Sequence, residues 1–310
     1  MGFFKKWNKR KNDLLEVSQE NNIFDDIFDD IFIIYNEEEF YRYVKIYDSK
    51  GMTNMSILCY VPKDSGLLER KEIVLEALRI CGLDIRYVSD NLKADLEVIK
   101  TAFSSNPHSI QFAKGITLEV AMSMCDDIPK LNVVASYFPQ IIEELQKNDE
   151  NRNLLLNMLR QNASLISGLI KYQDDSEFIK VATDSSPMYI RYAGKNISDE
   201  IIISELKKYY KCVLENMKEY ANNNKDNVLE IWNKYHDNLL FLLEMVNDIK
   251  ERYPERFNNE EFIFQLFYIN PILIQTADLR YIKDPFLVEM HEGYEEETPM
   301  DVYSRLSGRK

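Results

Sequence analysis

One apolar pattern recurs along this chain, first at an offset of twenty-five residues, and it limits the possible folds more than any other feature. The first two copies share four apolar positions: Ile73, Val74, Ala77 and Leu78 in one, and Val98, Ile99, Ala102 and Phe103 in the other. We identify five copies, at residues 72–88, 97–113, 154–169, 177–193 and 262–277. Five copies in one register predict a repeat protein.

Each copy predicts a pair of helices. Apolar residues at positions i, i+1, i+4 and i+5 form one stripe of a helix about three turns long. The dipeptides Asn106-Pro107 and Asn270-Pro271 follow this stripe, and they suit the N-cap and first turn of a second helix. Because one such hairpin cannot bury its apolar face alone, we expect neighbouring copies to stack.

The first two copies also resemble a known repeat. Residues 70–77, RKEIVLEA, are followed by Gly82, Leu83, Tyr87 and Val88. They resemble the tandem helical domain-of-unknown-function repeat, whose pattern is D-x-E-V-V-x-x-A and then G-x-x-L-x-Y-A. The second copy is similar at Asp95, Glu97, Val98, Ile99, Ala102, Phe112 and Ala113, but it has Asn106-Pro107 where the pattern has Gly. The resemblance covers residues 70–114, with degenerate copies to residue 277, and it implies a helical fold without implying an activity.

Residues 40–61 depart from the repeat and predict a β-hairpin. Tyr41, Tyr43, Lys45 and Tyr47 alternate with Arg42, Val44 and Ile46. A turn at residues 48–51 and a second apolar run at residues 55–61 follow. Since an isolated hairpin is only marginally stable, we expect a third strand near residues 32–35.

Residues 199–253 predict two long amphipathic helices joined by a polar turn. Apolar side chains recur at alternating spacings of four and three on both sides of residues 222–226. This spacing is typical of an antiparallel coiled-coil hairpin. The hairpin either packs on the repeats or projects from them to grip a partner.

The predicted fold is therefore mainly α: stacked short helical-hairpin repeats with a small N-terminal β-hairpin and a long antiparallel helical hairpin. We divide the chain into four parts: a basic leader, acidic helix and β-hairpin at residues 1–66, helical repeats at 67–198, the long hairpin at 199–255, and a last repeat with an acidic tail at 256–310.

Charge is distributed in blocks. The net charge is −14, which disfavours direct binding of nucleic acid. Residues 13–39 contain ten acidic residues and residues 284–301 contain seven, and neither segment contains Lys or Arg. Such blocks are either solvated faces or docking surfaces for a basic partner. As partner-binding residues we predict Asp25, Asp26, Asp29, Asp30, Glu37, Glu38, Glu39, Glu295, Glu296 and Glu297.

Motifs for catalysis are sparse. The three histidines, His108, His236 and His291, lie far apart, and no glycine-rich phosphate loop or metalloprotease motif occurs. The four cysteines fit no zinc spacing, so we expect free thiols. We therefore predict a protein without catalytic residues, cofactor or metal. The predicted function is that of a non-enzymatic binding protein, an inhibitor or an interaction module, whose partner is a protein with a basic surface such as a nucleic-acid-binding protein.

One alternative is a Mg²⁺-dependent enzyme. Asp25, Asp26 and Asp29 form D-D-x-x-D, which resembles the diphosphate motif of class I isoprenoid synthases, and residues 247–255 look like a broken copy of the second metal motif of those enzymes. However, the first motif also belongs to a four-residue apolar period beginning at Ile23, which predicts an acidic amphipathic helix without a metal.

A second alternative is a membrane-associated scaffold. Residues 1–11 carry five positive charges beside Phe3, Phe4 and Trp7, and they could rest on an anionic membrane surface. No apolar run approaches the roughly 20 residues that span a bilayer, and no signal-peptide pattern is present. We therefore expect a cytoplasmic protein with a loosely packed leader.

Overall fold

A computed structural model describes residues 33–52, 55–224, 227–278, 280, 282–295 and 297–307. The chain divides into two compact units, which meet in sequence between Ile116 and Thr117. The described residues are mainly helical and include no β-strand. None of their helices combines the length and the apolarity that crossing a membrane would need.

The first unit consists of short helices. Its α-helices are α1 (Glu37–Ser49), α2 (Lys71–Ile80), α3 (Asp90–Lys93) and α4 (Leu96–Ser105). Its 3₁₀ helices are Leu58–Tyr60, Lys63–Ser65, Leu67–Glu69, Gly82–Tyr87 and Pro107–Phe112.

The second unit adds two long helices to the short ones. Its α-helices are α5 (Leu118–Met124), α6 (Ile128–Tyr137), α7 (Gln140–Leu145), α8 (Arg152–Gln161), α9 (Ser176–Ser185), α10 (Asp199–Asn223), α11 (Val228–Arg252), α12 (Glu260–Ile269), α13 (Pro285–Glu292) and α14 (Pro299–Ser307). Its 3₁₀ helices are Asp149–Asn151, Ala163–Ser167, Ile170–Tyr172, Pro187–Tyr192, Pro254–Asn258 and Pro271–Thr276.

All five predicted copies contain a ten-residue α-helix followed, one residue later, by a 3₁₀ helix of five or six residues. The α-helices are α2, α4, α8, α9 and α12. An acidic or amide side chain at the N-cap begins three of them: Asp95, Asp175 and Asn259 each accept a hydrogen bond from the backbone N–H two residues on. The apolar stripe therefore correctly predicted a helix and a break in every copy.

Small residues lie at the centre of these helix pairs. Ala77, Ala102 and Ala182 are fully buried. In the first unit α2 packs on α4, and in the second α8 packs on α9. Since alanine lets two helix backbones approach closely, a larger side chain at any of these positions would overpack the contact.

The structure contradicts the first strand of the β-hairpin predicted for residues 40–61. Residues 37–49 form helix α1, which buries Phe40, Val44 and Tyr47 at helical spacing. Asn36 caps this helix, and three glutamates fill its first turn, where the helix dipole favours negative charge. Residues 53–54 lie outside the described residues, and residues 58–60 form a 3₁₀ turn. One backbone hydrogen bond, from Ile34 N to Tyr60 O at 2.9 Å, joins the expected third strand to the second.

The two long helices expected within residues 199–255 are present as α10 and α11, of 25 residues each. They run antiparallel, because Tyr220 hydrogen-bonds Glu230 near the turn while Tyr210 meets Tyr235 further from it, with 2.9 Å between hydroxyl oxygens. Both helices pack against Pro187–Tyr192, and α10 also packs against α12. Helix α14 covers the turn end of the hairpin, where Val302, Tyr303 and Leu306 join one apolar cluster with α10 and α11.

Candidate partner-binding surface

The predicted acidic residues can be examined only in part. Asp25, Asp26, Asp29, Asp30 and Glu296 lie outside the described residues, as does the basic leader at residues 1–11. The remaining five are distributed over the two units: Glu37, Glu38 and Glu39 in the first, and Glu295 and Glu297 in the second.

Two of the three N-terminal glutamates hold the fold together locally. The carboxylate of Glu39 accepts a hydrogen bond from Tyr35 N at 2.9 Å, while Asn36 Oδ1 accepts one from Glu39 N at 2.9 Å. These two bonds resemble a capping box at the start of α1, except that Glu39 accepts from Tyr35 N and not from the N–H of the N-cap residue Asn36. Glu37 forms an ion pair with Arg70 at 2.6 Å. Glu37 and Glu39 therefore have structural partners, whereas Glu38 is exposed.

Glu297 is also used within the fold. Its two carboxylate oxygens lie 3.0 and 2.7 Å from the Arg305 guanidinium. Its backbone carbonyl accepts a hydrogen bond from Trp232 Nε1 at 3.2 Å. These contacts join the segment before α14 to the long hairpin. Glu295 is exposed to solvent.

The second half of the proposed diphosphate motif is occupied by an internal ion pair. Asp248 on α11 accepts a hydrogen bond from Arg191 Nε at 2.7 Å, and the same arginine lies over the Phe241 ring. Within the described ranges, no group of three or more His, Cys, Asp or Glu side chains is arranged to hold a metal ion. The first half of the motif, Asp25, Asp26 and Asp29, lies outside those ranges.

A buried carboxylate in the first unit has a structural role. Asp84 is fully buried, and its Oδ2 accepts hydrogen bonds from Ile57 N and Leu58 N at 2.8 and 2.9 Å. Burial raises the pKa of Asp84 above its ordinary value. The Asp84 carboxyl group thereby holds the segment at Ile57 and Leu58 against the 3₁₀ helix Gly82–Tyr87. The four cysteines are free, as expected, and two of them, Cys59 and Cys212, are exposed.

A connected group of partly exposed aromatic rings lies on α12 and α13. Its members are Phe264, Phe267, Tyr268 and Phe286, which we call the aromatic face. Neighbouring rings meet near right angles, with centroids 4.7 Å apart for Phe264 and Tyr268 and 5.7 Å apart for Phe267 and Phe286. Tyr268 remains 65% exposed and Phe286 remains 49% exposed. Large aromatic surfaces left in water at one place are typical of binding sites.

The fold fixes this face through acidic side chains at its edge. Glu260 and Glu261 begin α12, one turn before Phe264. The Glu260 carboxylate accepts hydrogen bonds from the backbone N–H groups of Lys283 and Asp284, which places the start of α13 beside α12. Asp284 then caps α13 by accepting from Phe286 N at 2.8 Å.

A shallow groove also lies along α13. Its lining residues are Lys283, Pro285, Val288, Glu289, Glu292 and Gly293. Five acidic residues begin α12, cap α13 or line the groove, namely Glu260, Glu261, Asp284, Glu289 and Glu292, whereas the groove lining includes one basic residue, Lys283. Apolar rings beside a negative rim suit a ligand that is both cationic and able to pack on rings.

The sequence did not reveal this face. Phe267 occupies the i+5 position of the apolar stripe in the fifth copy, which predicts a buried residue, but Phe267 is only partly buried. Phe264 and Tyr268 lie outside the stripe, and they make α12 apolar around most of its circumference. That excess of apolar residues on one short helix was the available signal, because a helix with solvent on one side needs only one apolar stripe.

Comparison with known proteins gives one match. Residues 70–115 match the domain of unknown function DUF4116. The matched segment contains α2, α3 and α4 with the 3₁₀ helices Gly82–Tyr87 and Pro107–Phe112. No curated protein and no solved structure matches the chain. The match concerns the first unit alone and carries no activity with it.

Proposed function

We propose that this chain is a non-enzymatic binding protein of the cytoplasm that engages a protein with a basic surface, as an inhibitor or an interaction module. The observation that carries the proposal is the aromatic face with its acidic rim on α12 and α13. The partner's positive charge matches the rim, and it also matches the segment at residues 284–301, which has seven acids and neither Lys nor Arg. A nucleic-acid-binding protein is one kind of partner with such a surface.

The proposal differs from the sequence prediction in where it places contact. Glu37, Glu39 and Glu297 each satisfy a group within the fold, and a carboxylate with an internal partner contributes less to attracting an external one. Glu289, Glu292 and Glu295 are exposed and lie on or just after α13, the helix that carries Phe286. We therefore assign electrostatic attraction of the partner to these three glutamates.

As part of the same proposal, the five helix pairs are copies of one repeat that stack on neighbours within each unit. Two equivalent backbone hydrogen bonds, one in the second copy and one eighty positions later in the fourth, support this. Lys114 N donates to Lys93 O at 2.8 Å, and Gly194 N donates to Gln173 O at 2.7 Å, immediately after Ala113 and Ala193 of the two copies. Stacked repeats provide a rigid body on which a binding surface is held without rearrangement.

Ion pairs between neighbouring copies support the repeat in the same way. Lys71 at the start of α2 lies 2.9 Å from Asp95 and from Glu97 of the next copy. Arg152 at the start of α8 lies 2.8 Å from Asp175 and from Glu177. In each case the Asp and Glu of the D-x-E segment of one copy form ion pairs with a basic side chain of the preceding copy.

Co-purification of the tagged full chain from its native cells, followed by quantitative mass spectrometry, tests the proposed function. We compare the unmodified chain with the triple variant E289Q/E292Q/E295Q. A matched control, E119Q/E143Q/E219Q, removes three exposed charges elsewhere. The proposal expects a protein with a basic surface that is retained at low salt, lost at high salt, depleted severalfold by the first variant and unaffected by the control. A set of bound proteins identical for all three chains would contradict it.

A further inference from the structure

Arg152, Arg191 and Arg305 in the second unit share one arrangement, which Arg256 repeats with Tyr253 and Asp199. Each guanidinium carbon lies over an aromatic ring: Arg152 at 5.3 Å from the Phe178 centroid, Arg191 at 5.5 Å from Phe241 and Arg305 at 4.8 Å from Tyr235. Each guanidinium also contacts a carboxylate, of Asp175, Asp248 and Glu297 respectively. The arrangement combines two favourable contacts of a planar cation, one with its face and one with its edge.

The aromatic face offers the same two groups without an internal cation. Over the part of the chain that the structure describes, no lysine or arginine is placed over the rings of Phe264, Phe267, Tyr268 or Phe286. The bordering Lys207 directs its ammonium to Gln265 Oε1, at 2.9 Å.

Acidic side chains at the rim retain capacity to accept further hydrogen bonds. Asp284 uses Oδ1 for Phe286 N, and Glu261 uses Oε1 for Gln265 Nε2 at 2.9 Å. An ionised carboxylate has about four acceptor positions on its two oxygens, so each of these groups can receive an additional donor.

We propose that the aromatic face binds arginine side chains of the partner, each guanidinium lying over Tyr268 or Phe286 and contacting Glu261 or Asp284. This inference rests on the proposed function, since it specifies the chemistry of the basic partner. Arginine suits the site better than lysine because its guanidinium is planar, is weakly hydrated and can bond a carboxylate through two parallel N–H groups. An ammonium group is strongly hydrated, so it loses more hydration free energy when it contacts an apolar ring.

Fluorescence anisotropy with two labelled peptides tests the inference on the full chain. The peptides have the same length and Gly-Ser spacing, and one carries five arginines where the other carries five lysines. At low salt the arginine peptide is expected to bind several times more tightly. Tyr268→Leu and Phe286→Ala should each weaken its binding by about 3- to 10-fold, the equivalent of one cation–π contact, and should leave the lysine peptide less affected.

Two controls keep the result interpretable. Tyr35→Ala removes another exposed tyrosine, in the first unit, and should change neither affinity. Tyr268→Leu retains apolar area while removing the ring, so unchanged binding by this variant would show a general apolar contact and would overturn the inference. Thermal unfolding of each variant identifies any that has lost its fold, and E261Q/D284N then provides a second test through the carboxylates.

The remaining outcomes separate the two proposals. Equal affinity for both peptides, reduced by E289Q/E292Q/E295Q but not by the ring variants, would overturn the arginine inference and leave the proposed function supported. Absence of binding by either peptide would also overturn the inference, and the co-purification experiment would then decide the proposed function independently.

Discussion

Lys71 places its ammonium nitrogen 2.9 Å from the Asp95 carboxylate, and that same carboxylate caps helix α4. One acidic residue thus begins its own helix and holds the preceding one. The hydrogen bond to Lys71 lowers the pKa of Asp95. Because the two side chains are 36% and 30% exposed, the ion pair contributes little stability, and the cap contributes more. The Asp of the D-x-E segment is therefore explained mainly by helix capping.

Replacing Asp95 tests whether the helix cap contributes more stability than the ion pair. Asp95→Ala removes the cap and the ion pair, and we expect it to lower the free energy of unfolding by about 1–2 kcal/mol. Asp90→Asn removes an exposed ion pair with Lys114 and no side-chain cap, so little change in the free energy of unfolding is expected. Urea denaturation of both variants gives the comparison, and equal losses would contradict the capping explanation.

The charge of Asp95 should appear in the pH dependence. Asn can also cap a helix, so Asp95→Asn isolates the charge. Since the folded-state pKa lies below the ordinary value of about 3.9, the charge stabilises the fold above that pH, and the contribution is lost as pH falls through the folded pKa. The stability difference between the unmodified chain and Asp95→Asn should therefore shrink as the pH falls below about 4 and disappear below the folded-state pKa. A difference that grows on acidification would refute this assignment.

Gly82 is required by packing rather than by an unusual backbone angle. A Cβ at this position would lie 2.2 Å from Ala102 O and 2.9 Å from Asn106 N, both backbone atoms. Gly82→Ala should therefore cost about 1–3 kcal/mol by forcing the helix pairs apart. Gly168→Ala is the matched control, because its nearest neighbour would lie at 3.7 Å, and it should be neutral or slightly stabilising. Chemical denaturation measures the free energy of unfolding of both variants. An unchanged free energy in Gly82→Ala would contradict the close packing.

Variants of Asp84 test how a buried carboxyl group stabilises the segment at Ile57 and Leu58. Asp84→Ala leaves the N–H groups of Ile57 and Leu58 without their acceptor, at a cost of about 1–3 kcal/mol for each group left unsatisfied. Asp84→Asn keeps an acceptor oxygen and should be far milder. Hydrogen exchange at Ile57 and Leu58 should rise strongly in the first variant and little in the second.

The pH dependence of Asp84 has the opposite sign to that of Asp95. Its folded-state pKa is raised, so ionisation opposes folding, and stability falls as pH rises from the ordinary value of about 3.9 through the folded pKa. Asp84→Asn lacks this loss. We expect its stability relative to the unmodified chain to increase between pH 4 and pH 7, measured by thermal unfolding. A constant difference over that range would contradict a raised pKa.

Glu295 and Glu297 should differ although they are near neighbours in one acidic segment. Glu297→Gln loses its charged contact with Arg305, and since both side chains are more than a third exposed we expect a loss of about 0.5–1 kcal/mol. Glu295→Gln is expected to leave the melting temperature unchanged. Thermal unfolding of the two single variants tests this difference. Equal melting temperatures would contradict a stabilising contact between Glu297 and α14.

The helix pairs were predictable because their information is local. Apolar spacing defines each ten-residue helix, and a following Asn or Ser with Pro marks the break, as at Asn106-Pro107 and Ser186-Pro187. The prediction failed at α1 because its tyrosines and lysine happen to alternate. The capping residues Asn36 and Glu39 identify a helix start there, and this local signal determines the structure.

The aromatic face could not be derived from spacing alone, because exposure depends on what packs against a helix. Phe267 and Leu266 are adjacent and both belong to the apolar stripe, yet Leu266 is fully buried and Phe267 contacts Phe286 near solvent. The side of α12 that remains open is decided by contacts with the 3₁₀ helix Pro271–Thr276, which follows it, and with α10, which is distant in the sequence.

The association rate between this chain and the basic protein recovered by co-purification tests the central claim most directly. Stopped-flow measurements at low and physiological salt are compared for the unmodified chain and E289Q/E292Q/E295Q. We predict an association rate that falls steeply with salt, is about 10-fold lower in the variant at low salt, and is accompanied by little change in the dissociation rate. An association rate that is independent of salt and equal in the two chains would contradict binding through the acidic surface of α13.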